Sequence, residues 1–286
     1  MATDERSPSR TAVGVALLRA VHELYDGEPK ILSDPVIRRL LQDSDWQGSS
    51  ANPEWSRTPL MTALRSHVVL RSRYAEDCLQ EAVLSGIRQY VILGSGFDTF
   101  AYRQPEWASV LRIFEVDHAA SQRSKMERLA LSAIPAPSNL EFVAADFESA
   151  PLRDVLLNAS SLDFLAPAFF SCLGVLVYLP RHSATSIFRL IASFPKRSEI
   201  VFSFSQGNLN GDQQSSGAAA LAQGAAAVGE PWQTYHDPNE LYRELSELGF
   251  SQVTILSPDE ARDRYYRGRV DGLPPPRRAT LARAIV

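Results

Sequence analysis

The stretch Gln89-Tyr90-Val91-Ile92-Leu93-Gly94-Ser95-Gly96-Phe97-Asp98-Thr99-Phe100-Ala101-Tyr102-Arg103 limits the possible folds more sharply than any other part of the chain. Its apolar run, Tyr90 to Leu93, is cut off by two glycines and followed by residues able to turn helical. That order predicts a buried strand, a tight turn and a helix start. Glycine at 94 and 96 admits backbone angles closed to other residues and leaves no Cβ between the main chain and a nucleotide-like ligand. A dinucleotide fold would want a third glycine at 99, where this chain has Thr99, and the departure weakens the pyrophosphate reading.

Two more apolar runs end in acids. Val110 to Val116 leads to Asp117, about twenty residues beyond the glycines, where the next strand of a doubly wound sheet holds a ribose. An ionised carboxylate is acceptor-only, with lone pairs for both ribose hydroxyls. Leu140 to Ala145 leads to Asp146-Phe147, an acid beside an aromatic, which suits the exocyclic amine and the flat face of an adenine. Alternation of such strands with helical stretches predicts an α/β fold.

Arg71-Ser72-Arg73-Tyr74-Ala75-Glu76-Asp77, the Gln89 to Thr99 segment, Phe114-Glu115-Val116-Asp117 and Ala145-Asp146-Phe147 lie in one register. Together they resemble the S-adenosylmethionine-dependent methyltransferases related to leucine carboxyl methyltransferase, whose bacterial branch includes O-methyltransferases of secondary metabolism. The likeness runs from about Ala12 to the C-terminus. It implies a class I methyltransferase, a Rossmann-like seven-stranded mixed sheet with helices on both faces. It adds an N-terminal tail and helical cap over residues 1–86 and a lid insertion at about 206–236 within the 87–286 core, all one structural unit. It implies S-adenosyl-L-methionine as cofactor, held by Arg73 at the methionine carboxylate and by Gly94, Ser95, Gly96 and Asp98 along the first turn. Asp117 would take the ribose, and Asp146 with Phe147 the adenine. One position departs from the pattern: Leu173 stands before Gly174-Val175 where the family usually has a cofactor-side glutamate, so it is retained as an apolar pocket-lining residue.

The chain has 286 residues, 45% hydrophobic and 22% charged, as expected of a globular protein with a substantial core. Its net charge of -4 offers no general attraction to nucleic acid or to an anionic membrane surface, so neither is expected as a partner. Cys78 and Cys172 lack metal-ligand spacing and a disulfide framework and read as small buried residues, and no metal site is expected. No apolar run approaches a membrane span and the first ten residues lack a signal peptide's apolar stretch, which predicts a cytoplasmic protein. A small-molecule acceptor is the expected partner, with a homodimer left open.

Periodicity places helices from near Thr11 to Tyr25, over Leu60 to Ser85, over Ala119 to Leu131, over Ser149 to Ala159 and over Arg181 to Phe194. A short helix follows the Asp34-Pro35 cap, and another runs from Asp237 to Gly249. Further strands are expected after Pro167 and at Glu199 to Ser205. Phe250 to Leu256 and Ala279 to Val286 are expected to pair as an antiparallel edge. Met1 to Arg10 reads as a mobile tail, Gln42 to Pro59 as a loop, and Gln206 to Gly229 as part of the lid. Most of Gln122, Arg123, Lys125 and Arg128 read as a solvated face. Arg71 and Arg73 cannot both face a cofactor from one helix. The resemblance selects Arg73, leaving Arg71 to pair in solvent with Glu76 or Asp77.

Methyl transfer from a sulfonium is an in-line displacement in which the protein mainly places the acceptor and excludes water. A carboxylate acceptor needs no base, whereas a hydroxyl benefits from one. Among His118, His182 and His236, His182 is the leading candidate because it follows the Val175 to Pro180 segment; His236 would approach from the lid, and Tyr178 would orient the acceptor. Two other functions fit less well: an NAD(P)-dependent oxidoreductase, disfavoured by Thr99, and a cofactor-binding protein without catalysis, which Leu173 would suit.

Overall fold

The computed structural model describes residues 9–47, 53–149, 151–159, 161–207 and 216–286. The expected mobile tail lies almost wholly outside them, as do the centre of the Gln42 to Pro59 loop and residues 208–215 of the lid.

The N-terminal cap holds α1 (Arg10–Tyr25), α2 (Ile37–Leu40), α3 (Pro53–Ser56) and the long α4 (Pro59–Leu84). Their starts follow capping chemistry: the Ser9 hydroxyl accepts from Ala12 N at 3.1 Å, the Asp34 carboxylate from Ile37 N at 3.2 Å and the Thr58 hydroxyl from Met61 N at 3.4 Å.

The strands are β1 (Gln89–Leu93), β2 (Arg112–Asp117), β3 (Leu140–Ala144), β4 (Phe169–Cys172), β5 (Glu199–Ser203), β6 (Gln252–Ile255) and β7 (Leu281–Ile285). They form one seven-stranded sheet in the order β3-β2-β1-β4-β5-β7-β6. The first five run parallel, and β7 enters antiparallel between β5 and β6. Leu93 pairs with both Val116 and Cys172, and Asp117 with Ala144, so the C-terminal tips of β3, β2, β1 and β4 end nearly level along one edge. This is the class I methyltransferase sheet.

Strand alternation builds two cores. Val91, Leu93, Phe114, Val116, Phe170 and Cys172 point to one face, where α6 (Leu152–Ala159), α7 (Arg181–Ala192) and α9 (Pro238–Glu247) pack. Tyr90, Ile92, Ile113 and Phe169 point to the other, against Leu70, Tyr74, Cys78 and Leu79 of α4. Cys78 and Cys172 are free and buried among apolar neighbours, and burial pushes both thiols up to about 12. Among the described residues no helix is long and apolar enough to cross a membrane.

Two expectations are corrected here. No α-helix follows the glycine turn; the chain makes short 3-10 turns at Phe100–Tyr102 and Glu106–Val110. Pro105 has no N–H to give, and the Thr99 and Arg103 side chains are drawn into a buried network instead. The α5 helix (Ala119–Leu131) is not simply solvated on its polar side. Lys125 is buried with its Nζ 2.5 Å from Glu115 Oε2 and 5.4 Å from the Tyr102 ring centroid. Gln122 donates to the carbonyls of Glu115 and Val143 at 3.0 and 2.7 Å. Burial raises the Glu115 carboxyl to about 7 against the opposing pull of Lys125.

Candidate active site

The turns after β1, β2, β3 and β4 meet at the level edge of the sheet. Gly94 and Gly96 take φ of +69° and +44°, in the left-handed region that favours glycine. The first turn is stitched to β2: Gly94 N donates to Val116 O at 2.8 Å, and Gly96 N to Asp117 Oδ2 at 2.5 Å. Asp117 Oδ1 accepts from His118 N at 2.7 Å, and Ala145 N donates to Asp117 O at 2.8 Å, which brings the third turn alongside. Burial raises the Asp117 carboxyl while these two N–H groups hold it down, and each oxygen keeps a lone pair for a further donor. The fourth turn closes the set, because a Cβ on Gly94 would lie 2.2 Å from Val175 Cγ2.

Ser95 and Asp98 lie within the first turn. Ser95 Oγ is buried without a hydrogen-bond partner among the described residues, and Asp98 Oδ1 accepts from Phe100 N at 2.8 Å. Asp146 Oδ1 accepts from Glu148 N at 3.0 Å and shapes the third turn. Phe147 packs at the edge of the core and lines a groove of about 520 Å³ with Leu152, Ile187 and His182. The structure thus brings Gly94, Ser95, Gly96, Asp98, Asp117, Asp146 and Phe147 to one row of turns. Leu173 lies on the fourth turn, partly buried against the core beneath α4.

The structure places the two arginines otherwise than expected. Arg73 is half-exposed, its Nε 2.8 Å from Asp77, in a groove lined by Lys30, Arg264 and Arg269. Arg71 instead reaches the fourth turn: a Cβ on Gly174 would lie 2.5 Å from Arg71 Nη1. No hydrogen bond or ion pair with a described residue falls on its guanidinium. Burial lowers it to about 10, with Tyr178 and Asp98 drawing it back up and Arg19 opposing them. An arginine so placed is a ready partner for a carboxylate.

The histidines are redistributed as well. His236 is 1% exposed and its ring stands edge-on to Phe204, with both ring nitrogens unpartnered among the described residues; burial lowers it to about 4. His182 is exposed at the start of α7, in the groove beside Phe147 rather than beside Arg71. The His118 side chain accepts from Ala120 N at 3.3 Å as the cap of α5. Sequence reasoning passed over His67, one helical turn before Arg71 on the same face of α4, with Nδ1 3.4 Å from Thr280 Oγ1. Burial, and then the charge of Arg71, lowers it to about 3. Its four-residue spacing from an arginine was the available signal. Tyr178 stays near Arg71 and is partly buried.

The described part of the segment expected to form a lid includes α8 (Ser216–Ala227) and the strap that follows it. Gln233 N donates to Val177 O at 2.7 Å, the Thr234 hydroxyl to Leu179 O at 2.5 Å and His236 N to Ser205 O at 2.8 Å. The strap therefore runs along the fourth turn.

The family model for leucine carboxyl methyltransferase matches residues 12–192. The chain belongs to the leucine carboxyl methyltransferase family. It is accordingly an S-adenosyl-L-methionine-dependent methyltransferase. Among its relatives is YktD of Bacillus subtilis, classed as an S-adenosyl-L-methionine-dependent methyltransferase, 31% identical over 296 residues that cover 93% of each chain. Two solved structures share the fold. One, from Thermobifida fusca, has a TM-score of 0.58 at 19% identity over 99% of this chain and 96% of that one. The other, a DUF574-family protein of Streptomyces avermitilis, has a TM-score of 0.56 at 18% identity over 95% of each.

The residues present fit the family cofactor. A buried hydroxyl at Ser95 and a guanidinium at Arg71, both without a partner among the described residues, and a two-oxygen acceptor at Asp117 match its hydroxyls and carboxylate. Bound there, S-adenosyl-L-methionine supplies an electrophilic methyl group on a sulfonium. Asp117 would take the ribose, Asp146 and Phe147 would flank the adenine, and Arg71 would take the amino-acid carboxylate. The same geometry opposes a dinucleotide: no helix N-terminus follows the glycine turn to face a pyrophosphate, and Thr99 fills the third glycine position.

Proposed function

We propose that this enzyme methylates an oxygen, carboxylate or hydroxyl, of a small-molecule product of secondary metabolism, with the carboxylate the better fit. The observation that carries this is the group of side chains beyond Arg71. His67 is kept neutral by burial and by that cation, Thr280 offers a hydroxyl beside it, and Tyr178 is near enough to raise the same guanidinium. A neutral imidazole so reluctant to take a proton can hydrogen-bond an oxygen but is a weak general base. An oxygen already ionised at neutral pH asks for no more than that, because carboxylates have ordinary pKa values near 4.

The chain's own residues then have two tasks. The row of turns with Arg71 fixes the cofactor end, and the strap along Val177 to Leu179 excludes water above it. His182 and His236 are not needed as bases for a carboxylate. The test incubates the enzyme with methyl-labelled cofactor and panels of small carboxylic acids and phenols. Label that mild base releases as methanol marks an ester; base-stable label marks an ether. Ethers alone would overturn the carboxylate preference, and transfer only to nitrogen or carbon would overturn O-methylation.

A further inference from the structure

The residue that broke the dinucleotide pattern has an unused role. Thr99 is fully buried, and its hydroxyl fills all three of its hydrogen-bonding positions with charged partners. It donates to Asp34 Oδ1 at 2.7 Å and accepts from Arg19 Nη2 at 2.9 Å and Arg103 Nε at 3.0 Å. Arg19 Nη2 also lies 2.6 Å from Asp34 Oδ2, and Arg103 forks onto both oxygens of Glu76. One hydroxyl thus ties α1, the cap before α2, the long helix α4 and the glycine turn into a buried cluster of two cations and two anions.

The cluster sits under a roof. A Cβ on Gly96 would lie 3.4 Å from Ala12 Cβ, so the first turn of α1 stands over the glycine turn, and Arg19 further along reaches Phe97 O at 3.4 Å. The start of α1 is fastened to the lid as well: Arg10 N donates to Glu230 Oε1 at 2.7 Å, and the Ser9 and Thr11 hydroxyls donate to Oε2. Whatever rests on Gly94 to Gly96 is therefore covered by α1, whose place is set through Thr99.

We infer that Thr99 is a positioning residue that couples docking of the N-terminal helix to occupancy of the cofactor turn. This rests on the cofactor assignment above. Because coupling is reciprocal, a ligand held tighter when α1 is docked must in turn hold α1 down.

The experiment follows hydrogen–deuterium exchange in the wild type with and without saturating S-adenosylhomocysteine, and titrates that ligand calorimetrically into wild type, Thr99→Ser and Thr99→Val. Ligand should slow exchange across residues 10–25 by about tenfold in wild type and Thr99→Ser, a typical size for coupling. Thr99→Val should bind about tenfold more weakly and lose that protection, while β1, β4 and β5 exchange as in wild type. A purely structural role would move the sheet and the helix together. Wild-type exchange in α1 that ignores the ligand overturns the inference, even if Thr99→Val does not fold. So does Thr99→Val binding within about twofold of wild type. A wild type that does not bind S-adenosylhomocysteine at all removes the cofactor assignment itself, which is a separate failure.

Discussion

Replacing Arg71 by Met separates a binding role from a structural one because the two states respond with opposite sign. Without ligand the guanidinium has no described partner and burial lowers it to about 10. A basic group whose folded pKa falls below its unfolded value destabilises the fold at every pH where it is charged, neutral pH included. Methionine keeps most of the apolar stem and removes that cost. The unliganded variant should be at least as stable as wild type, by up to about 1 kcal/mol after discounting for the solvent the group still meets. With ligand the sign reverses. Hydrogen bonds to a charged group contribute about 1.5–3 kcal/mol, and each 1.4 kcal/mol is a factor of ten, so S-adenosylhomocysteine should bind Arg71→Met about 10- to 150-fold more weakly. Arg73→Met is the control: it breaks an exposed pair with Asp77, worth about 0.3–0.5 kcal/mol, and should leave affinity within about twofold. Calorimetric titration with thermal melts of the free proteins reads both quantities. Wild-type affinity in Arg71→Met together with lost affinity in Arg73→Met would refute the reassignment.

Asp117→Asn exchanges a double acceptor for an amide with one acceptor oxygen against two backbone N–H groups, and should weaken S-adenosylhomocysteine by about 10- to 100-fold in the same titration. Gly94→Ala must place a methyl 2.2 Å from Val175 Cγ2 on a backbone of φ +69°, and should cost about 2–4 kcal/mol in urea unfolding as well as affinity. Lys125→Met strands the buried Glu115 carboxylate and should cost about 3–5 kcal/mol near pH 8. Glu115 already titrates at about 7, above its unfolded value, so its charge costs stability as pH rises through that point. Without Lys125 that cost grows, and the deficit should therefore shrink between about pH 8 and pH 5.5; an unchanged deficit would show that Glu115 is not the stranded group.

The strand tips at 94–98, 117 and 146–147 and the family were legible in the sequence because they are local. An apolar run followed by glycine or an acid carries its own information about where a strand stops and what it presents. The cap at Asp34 was legible for the same reason, because its carboxylate bonds an N–H three residues on, whereas the caps at Ser9 and Thr58 fell in stretches read as tail and loop. The rest depended on contacts between distant segments. Arg71 and Arg73 are separated by about 200° around a helix, and only the packing of Leu70, Tyr74 and Cys78 under the sheet turns the first toward Gly174. Lys125 looked solvated until Glu115, on the neighbouring strand, gave it a buried partner. Thr99 appeared as a missing glycine, yet its partners come from positions 19, 34 and 103, with Glu76 beyond them. Side-chain type set which bonds each residue could form; the tertiary fold, by orienting α1 and α4 against the sheet, decided which partners came within reach.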